Sequence, residues 1–288
     1  MSLGTGFARL PSPLARRLLP ALRYLNLMRA LEWRLLERWV QLGAGWRVLD
    51  VGCGHGLYSL DLVRRGAVLW GCDLQGPALM AARRTADGLG LGDLALFAQA
   101  DGQALPLAAS EFDLVVCNCV LEHIADDGAA LAGMARALRP GGLLYLSIDN
   151  AEHSLALGFL ERLPAWARRW LLRPEAAGAA TVSQGLDARL DALYAVRRRY
   201  HRADLEATLS RLGLTVLQGQ PYLSGVGAAQ YEAFHALRGL GADRGLGRLL
   251  YMLSSLFLYP LAAWSDDRPG VRGHGLALLA RKGKEGMA

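Results

Sequence analysis

Arg47-Val-Leu-Asp-Val-Gly-Cys-Gly-His-Gly56 decides how this chain is read. A short apolar strand, Arg47 to Val51, runs into three glycines at alternating positions, and a helical stretch, Gly56 to Arg65, follows. Glycine supplies backbone conformations that other residues resist, and it lets a ligand approach the main chain. Spacing separates the loops that share this look. A dinucleotide fingerprint, G-x-G-x-x-G, would put its third glycine at position 57, which is Leu57; the third glycine is Gly56. A P-loop needs Gly-Lys-Ser/Thr, and the stretch has none.

Outward from this loop, strands and helices alternate. Strands are expected at Ala67–Cys72, Leu94–Ala100, Phe112–Cys117 and Leu143–Ile148, with helices at Gln75–Asp87 and Gly128–Leu138 between them. The strands are continuous apolar runs rather than alternating ones, so both sheet faces are covered. Strand–helix alternation predicts a parallel, doubly wound α/β sheet with right-handed crossovers. Upstream, residues 14–42 read as helix broken at Pro20, with Leu18, Leu22, Leu25, Leu36 and Trp39 on one face and Arg16, Arg23, Arg34 and Arg38 on the other. Downstream, helix His201–Leu212, strand Leu214–Leu217 and a last strand Gly275–Ala280 are separated by a long apolar insertion.

Composition bounds the class. With 52% hydrophobic and 20% charged residues among 288, the chain can bury enough surface to offset its ordering entropy, which excludes disorder. The net charge of +6 is mild. The densest basic run, Arg197 to Arg202, reads as a solvated helix face, and a nucleic-acid partner is not expected. Cys53, Cys72, Cys117 and Cys119 have no C-x-x-C spacing and sit in apolar runs, so buried reduced thiols and a cytoplasmic setting are expected, without a metal centre. Residues 1–31 carry arginines and no acid, which superficially resembles a transit peptide; a basic amphipathic helix is the preferred reading of the same pattern, and no secretory signal pattern is expected.

Two acids stand at strand ends. Asp73 follows the second strand about twenty residues beyond the loop, where a carboxylate can accept both hydrogen bonds of a ribose diol. Asp101, followed by Gly102, ends the third strand. One such Asp is as readily a helix cap. Glycine loop and both acids in register point to a ligand at the carboxyl ends of the strands.

At these residues the chain resembles class I S-adenosylmethionine-dependent methyltransferases of the branch that acts on small molecules, quinones and lipid-like acceptors. The matching pieces are Val48-Leu-Asp-Val-Gly-Cys-Gly-His-Gly56, Gly71-Cys-Asp73, Ala100-Asp-Gly102 with Leu105-Pro106, Phe112-Asp-Leu-Val-Val-Cys117, Val120-Leu-Glu-His-Ile124 and Arg139-Pro-Gly-Gly142. They cover roughly residues 40–220 plus the last strand. The resemblance implies a seven-stranded Rossmann-like sheet with its last strand antiparallel, an N-terminal helical segment over residues 1–42, and a methyltransferase domain over 43–288 with mainly helical insertions at about 150–200 and 221–273. It implies S-adenosylmethionine as cofactor. Asp50, Gly52 and Gly54 would hold its methionine part, Asp73 the ribose, Leu74, Asp101 and Gly102 the adenine, and Asn118 would lie alongside near the fourth strand.

On the acceptor side, His123 is the candidate general base, set against a purely loop-orienting role. Relatives that bind a divalent metal carry a Glu three residues before the Glu-His pair; Cys119 stands there, so Glu122 and His123 lack a third ligand. Asn150 and His153 follow the fifth strand and are candidate pocket residues, and Tyr200-His201 opens a helix structurally. Both insertions leave the carboxyl side of the sheet and hold Trp166, Trp170, Tyr251, Phe257, Tyr259 and Trp264. Such stretches form core, or a lid and bilayer contact, here through residues 245–265, for a lipophilic acceptor. The run Leu249–Trp264 is too short to span a bilayer. The expected activity is methyl transfer, O-methylation foremost, to a small lipophilic or lipid-linked acceptor, with a cytoplasmic, membrane-associated location. The alternative is a membrane-peripheral or partner-binding protein that keeps the fold without turnover.

Overall fold

The computed structural model describes residues 23–152, 195–237 and 244–284, together with Ala21 and Trp166. Residues 14–20 of the expected first helix, His153, Trp170 and most of the 150–200 insertion lie outside the described residues.

Seven strands form one sheet: β1 Arg47–Val51, β2 Val68–Asp73, β3 Ala95–Gln99, β4 Phe112–Asn118, β5 Leu138–Asp149, β6 Leu214–Tyr222 and β7 Gly275–Lys282. Their order is β3-β2-β1-β4-β5-β7-β6. β7 is antiparallel to both β5 and β6, and the remaining pairings are parallel. The chain winds outward from β1 to β3 and returns to β4, so the order reverses between β1 and β4; that crevice is where open α/β sheets bind ligands.

The helices are α1 Leu27–Trp39, α2 Ser59–Arg64, α3 Gly76–Gly88, α4 Asp127–Ala137, α5 Arg202–Arg211, α6 Gly225–Leu237 and α7 Gly245–Asp266. Alternate strand residues feed two cores. Val48, Leu69, Phe97, Leu114 and Tyr145 pack with α1 and α3 on one face. Leu49, Val115, Leu146 and Leu278 pack with α4 and α5 on the other. Both faces are therefore dry, which explains the unbroken apolar strands.

Three local expectations change. From residue 23 on, the described part of the expected helix is a 3-10 turn at Arg23–Leu25 followed by α1 from Leu27, where the Asn26 side chain accepts from Arg29 N–H as its cap. Arg139-Pro-Gly-Gly142 is not a loop outside the sheet: β5 starts at Leu138, pairs with Phe112 there, and resumes pairing after a register shift. The apolar insertion is a helical hairpin, and α7 runs unbroken through Pro260 for 22 residues, long and apolar enough to cross a membrane by length and composition. The expected run, Leu249–Trp264, is interrupted in sequence by Ser254, Ser255 and Pro260, but the serine hydroxyls bond back to Tyr251 O at 2.8 Å and stay inside the helix.

Candidate active site at the carboxyl edge of the sheet

The loop after β1 is built by its glycines for two different reasons. Gly52, Gly54 and Gly56 all have positive φ, at 76°, 52° and 64°. A Cβ on Gly52 would overlap Val120, and one on Gly56 would press on the Phe97 ring and Ala82. Those two glycines are required by packing. A Cβ on Gly54 would meet nothing within 4 Å. Gly54 alone of the three bares its backbone to open space, the cradle that an approaching ligand needs.

Asp73, at the end of β2, locks this loop. Its Oδ2 accepts from Gly54 N–H at 2.9 Å and its Oδ1 from Gln75 N–H at 2.8 Å. Asp50 lies beneath, 6% exposed, taking a hydrogen bond from the Ser59 hydroxyl. Burial pushes its carboxyl up from 3.8 to about 6, with Asp73 adding repulsion and Ser59 and the Arg29 guanidinium pulling back. Asp101 caps the short turn Gly102–Ala104; Gln103 N–H donates to it at 2.9 Å, and the bonds from Gln103 hold its carboxyl below the usual range. Gly102 has Ile124 and Val51 against its free side. Leu74 is 62% exposed, and Asn118 Oδ1 accepts from Ser147 Oγ at 3.3 Å. The structure thus bonds Gly54 to Asp73 and sets Asp50 and Gly52 at the adjoining end of β1, with Asp101, Gly102 and Asn118 at the neighbouring strand ends.

A second polar cluster here was not visible in the sequence. Glu32, on α1, is completely buried. Arg29 donates to its Oε2 at 2.7 Å, while its Oε1 accepts from Tyr222 at 2.6 Å, Ser147 at 3.1 Å and the Cys119 thiol at 2.8 Å. Tyr145 also donates to the Glu32 main-chain oxygen at 2.7 Å. Cys119, with φ 49°, stands at the residue after β4. Burial, then the Glu32 charge, pushes its thiol well up, so it is a donor and not a nucleophile. The signal that could have disclosed the cluster is Glu32 itself, an acid between Leu31 and Trp33 on the apolar stripe of α1.

The exit of β4 turns at Leu121–His123. Glu122 is buried with no partner on Oε2; burial, then the Asp149 charge, pushes its carboxyl well above the ordinary range. His123 is half-buried, and its Nδ1 makes a long contact of 3.4 Å to Ala195 O. The basic run is put to use here. Arg197 donates its Nε–H to the His123 carbonyl at 3.0 Å and its main-chain N–H to the Glu122 carbonyl at 2.8 Å, and Arg198 donates to Ala125 O at 2.7 Å and pairs with Asp127. Only Arg202 of these lies on α5. The expected solvated helix face is instead a clamp on the β4 exit, because its arginines find carbonyls and an acid within reach. Among the described residues no cluster of three metal-ligating side chains occurs, and the four thiols are free.

Comparison with known proteins agrees with the fold. Residues 49–146 match the family described as methyltransferase domain. The chain is 40% identical over 108 residues to a ubiquinone biosynthesis O-methyltransferase of Psychrobacter cryohalolentis, covering 37% of this chain and 42% of that protein. It is 30% identical over 155 residues to the enzyme of the same name from Pseudomonas aeruginosa, covering 50% and 66%. The chain thus spans less than two thirds of the length of these relatives. Among solved structures, an S-adenosylmethionine-dependent methyltransferase from Mesorhizobium loti superposes with a TM-score of 0.57 at 20% identity over 88% of this chain and 98% of that one. The [4+2]-cyclase SpnF superposes at 0.56 and 20% identity over 94% and 82%.

Sheet order, glycine cradle and matched motifs define an α/β methyltransferase domain. Residues 49–146 carry the methyltransferase-domain match, and the chain shares the fold of a solved S-adenosylmethionine-dependent methyltransferase.

Proposed function

We propose that this chain transfers a methyl group from S-adenosylmethionine to an oxygen of a small, lipophilic or lipid-linked acceptor, in the cytoplasm and in peripheral contact with a membrane through residues 245–265. The observation that carries the reading is the unit formed by Gly54, with its backbone open to space, and the Asp73 carboxylate that holds it. The names of the ubiquinone O-methyltransferase relatives support the acceptor class. The free thiols support a reducing compartment.

The cofactor supplies an electrophilic methyl on a sulfonium cation. The residues fit such a group: Asp50, Asp73 and Asp101 put acids around a positive ligand, and nothing in the cradle demands phosphate. In this reading Asp73 takes the ribose hydroxyls while keeping the loop, and Asp101, Gly102 and Leu74 border the adenine. Asp50, Gly52 and Gly54 border the methionine part, where Arg29, paired with Glu32, also acts on Asp50 and puts a cation suited to a carboxylate nearby. Asn118 lies along the cofactor at the β4 end. His123 is assigned the acceptor's proton. With Nδ1–H turned to the Ala195 carbonyl, Nε2 is the basic nitrogen.

Calorimetric titration with S-adenosylmethionine tests the first half. Asp73→Ala should weaken binding by about 1–3 kcal/mol. No binding by the folded wild-type chain, or unchanged affinity in the variant, would remove the assignment. Binding without any methylated product across lipophilic phenol and alcohol acceptors would favour a non-catalytic role; SpnF, named a cyclase, shares the fold.

A further inference from the structure

Helix α7 is amphipathic in the reverse of the usual sense. A helix on a water-soluble domain turns its apolar stripe inward and its polar side to solvent. In α7, Leu246, Leu249, Leu250, Leu253, Phe257 and Trp264 recur at helical spacing and face out, with Phe257 81% and Leu246 70% exposed. The polar side chains face in. Ser255 is fully buried, and Gln230 of α6 donates to Ser254 and Ser255 at 2.7 and 3.0 Å. Buried Asp266 accepts from Leu223 and Ser224 N–H at 2.9 and 2.8 Å.

The charges at its ends identify what covers the stripe. From residue 244 to 265 the sequence holds Arg244 and Arg248 and no acid. Arg268 follows the helix and stacks over the Trp264 ring at 3.6 Å, and Arg272 is exposed just beyond. Of the two acids at this end, Asp266 is buried and Asp267 is paired with Arg34 and Arg38. An apolar stripe between arginine ends, with a tryptophan at one margin, complements anionic headgroups above an acyl layer.

We propose that α7 lies flat in the headgroup region of an anionic bilayer, its Leu/Phe/Trp stripe in the acyl boundary and Arg244, Arg248, Arg268 and Arg272 on lipid phosphates. A spanning helix is excluded by the serines and Asp266, whose partners on α6 and after β6 would be stranded or stripped away. The hairpin leaves β6 at Tyr222 and re-enters β7 at Gly275, both at the carboxyl edge. Docking therefore sets the cofactor edge beside the acyl boundary, where a lipophilic acceptor resides. The docking deepens the membrane contact proposed above and stands without the methyl-transfer reading; the placement of the acceptor rests on that reading.

The test is flotation of the full chain with phosphatidylcholine vesicles, with and without about one third phosphatidylglycerol. The wild type should float with the anionic vesicles and less so as salt rises. Leu253→Glu with Phe257→Glu should lower partitioning at least about tenfold, since two buried apolar side chains are lost. Arg244→Glu with Arg268→Glu should abolish the preference for anionic vesicles. Each variant should keep the wild-type thermal transition, because these side chains point to solvent. A wild type that does not float, or floats equally after Leu253→Glu with Phe257→Glu, overturns the proposal. So does a dimer, seen by light scattering, that this variant splits without any vesicle binding by the wild type. Cofactor titration on the same samples separates the two claims: flotation without cofactor binding sinks the methyl-transfer reading and leaves the docking standing.

Discussion

Asp50→Asn should stabilise the free protein at neutral pH while weakening its cofactor site. Asp50 is buried and its carboxyl is pushed up to about 6 from 3.8. That difference is about two pH units, or at most about 3 kcal/mol at 1.36 kcal/mol per unit. The native state binds a proton that the unfolded chain has released between roughly pH 4 and 6. Stability from this group is therefore present at low pH and is lost as pH rises through that window. Above it, the folded chain carries the whole cost of a buried, ionised carboxylate. Asparagine has no charge to bury, and its side-chain oxygen can still accept from Ser59. The loss of attraction to Arg29 makes the net gain smaller than the bound, about 1–2 kcal/mol. Urea unfolding of both proteins at several pH values reads the difference directly, and other titrating groups cancel. Variant minus wild type should be near zero at about pH 4 and favour the variant at pH 7.5. A cation in the cradle favours the ionised acid, so wild-type affinity for S-adenosylmethionine should fall as pH drops through about 6, and the variant should bind weakly without that step. A variant less stable than wild type at pH 7.5, or a difference flat with pH, would refute the reasoning.

Gly54→Ala should lose only about 1–2 kcal/mol of stability, for its positive φ, yet abolish tight cofactor binding because its Cβ enters the open cradle. Gly52→Ala should lose more stability, since its Cβ overlaps Val120; thermal unfolding beside calorimetry distinguishes them, and equal stability losses would count against the division. Glu32→Gln should destabilise by about 3–5 kcal/mol, leaving the buried end of Arg29 without its counter-charge, against about 1–2 for Tyr222→Phe. Equal losses in denaturant titration would show that the ion pair is not what holds α1 down.

Fold class was legible because its signals are local. An unbroken apolar run implies a strand covered on both sides, and Gly52, Gly54 and Asp73 mark a turn and a strand end within about twenty residues of one another. The candidate site was legible for the same reason wherever its residues end strands. The Arg197–Arg198 clamp was not, since charge runs do not disclose which carbonyls they will meet. Nor was the inversion of α7: periodicity gives a stripe, but which face is covered depends on Gln230 and Asp266 bonding its serine side to the rest of the chain.

By itself the sequence determined the strand-loop-helix order, the glycine cradle and the acids at the strand ends. Only the tertiary structure decided that Glu32 closes over the edge of the sheet, bonding Tyr145 and Tyr222 from 113 and 190 residues away. Local periodicity fixes the direction in which a side chain leaves its own element. Its partner across space is fixed by strand order and by the need to satisfy a charge once it is buried.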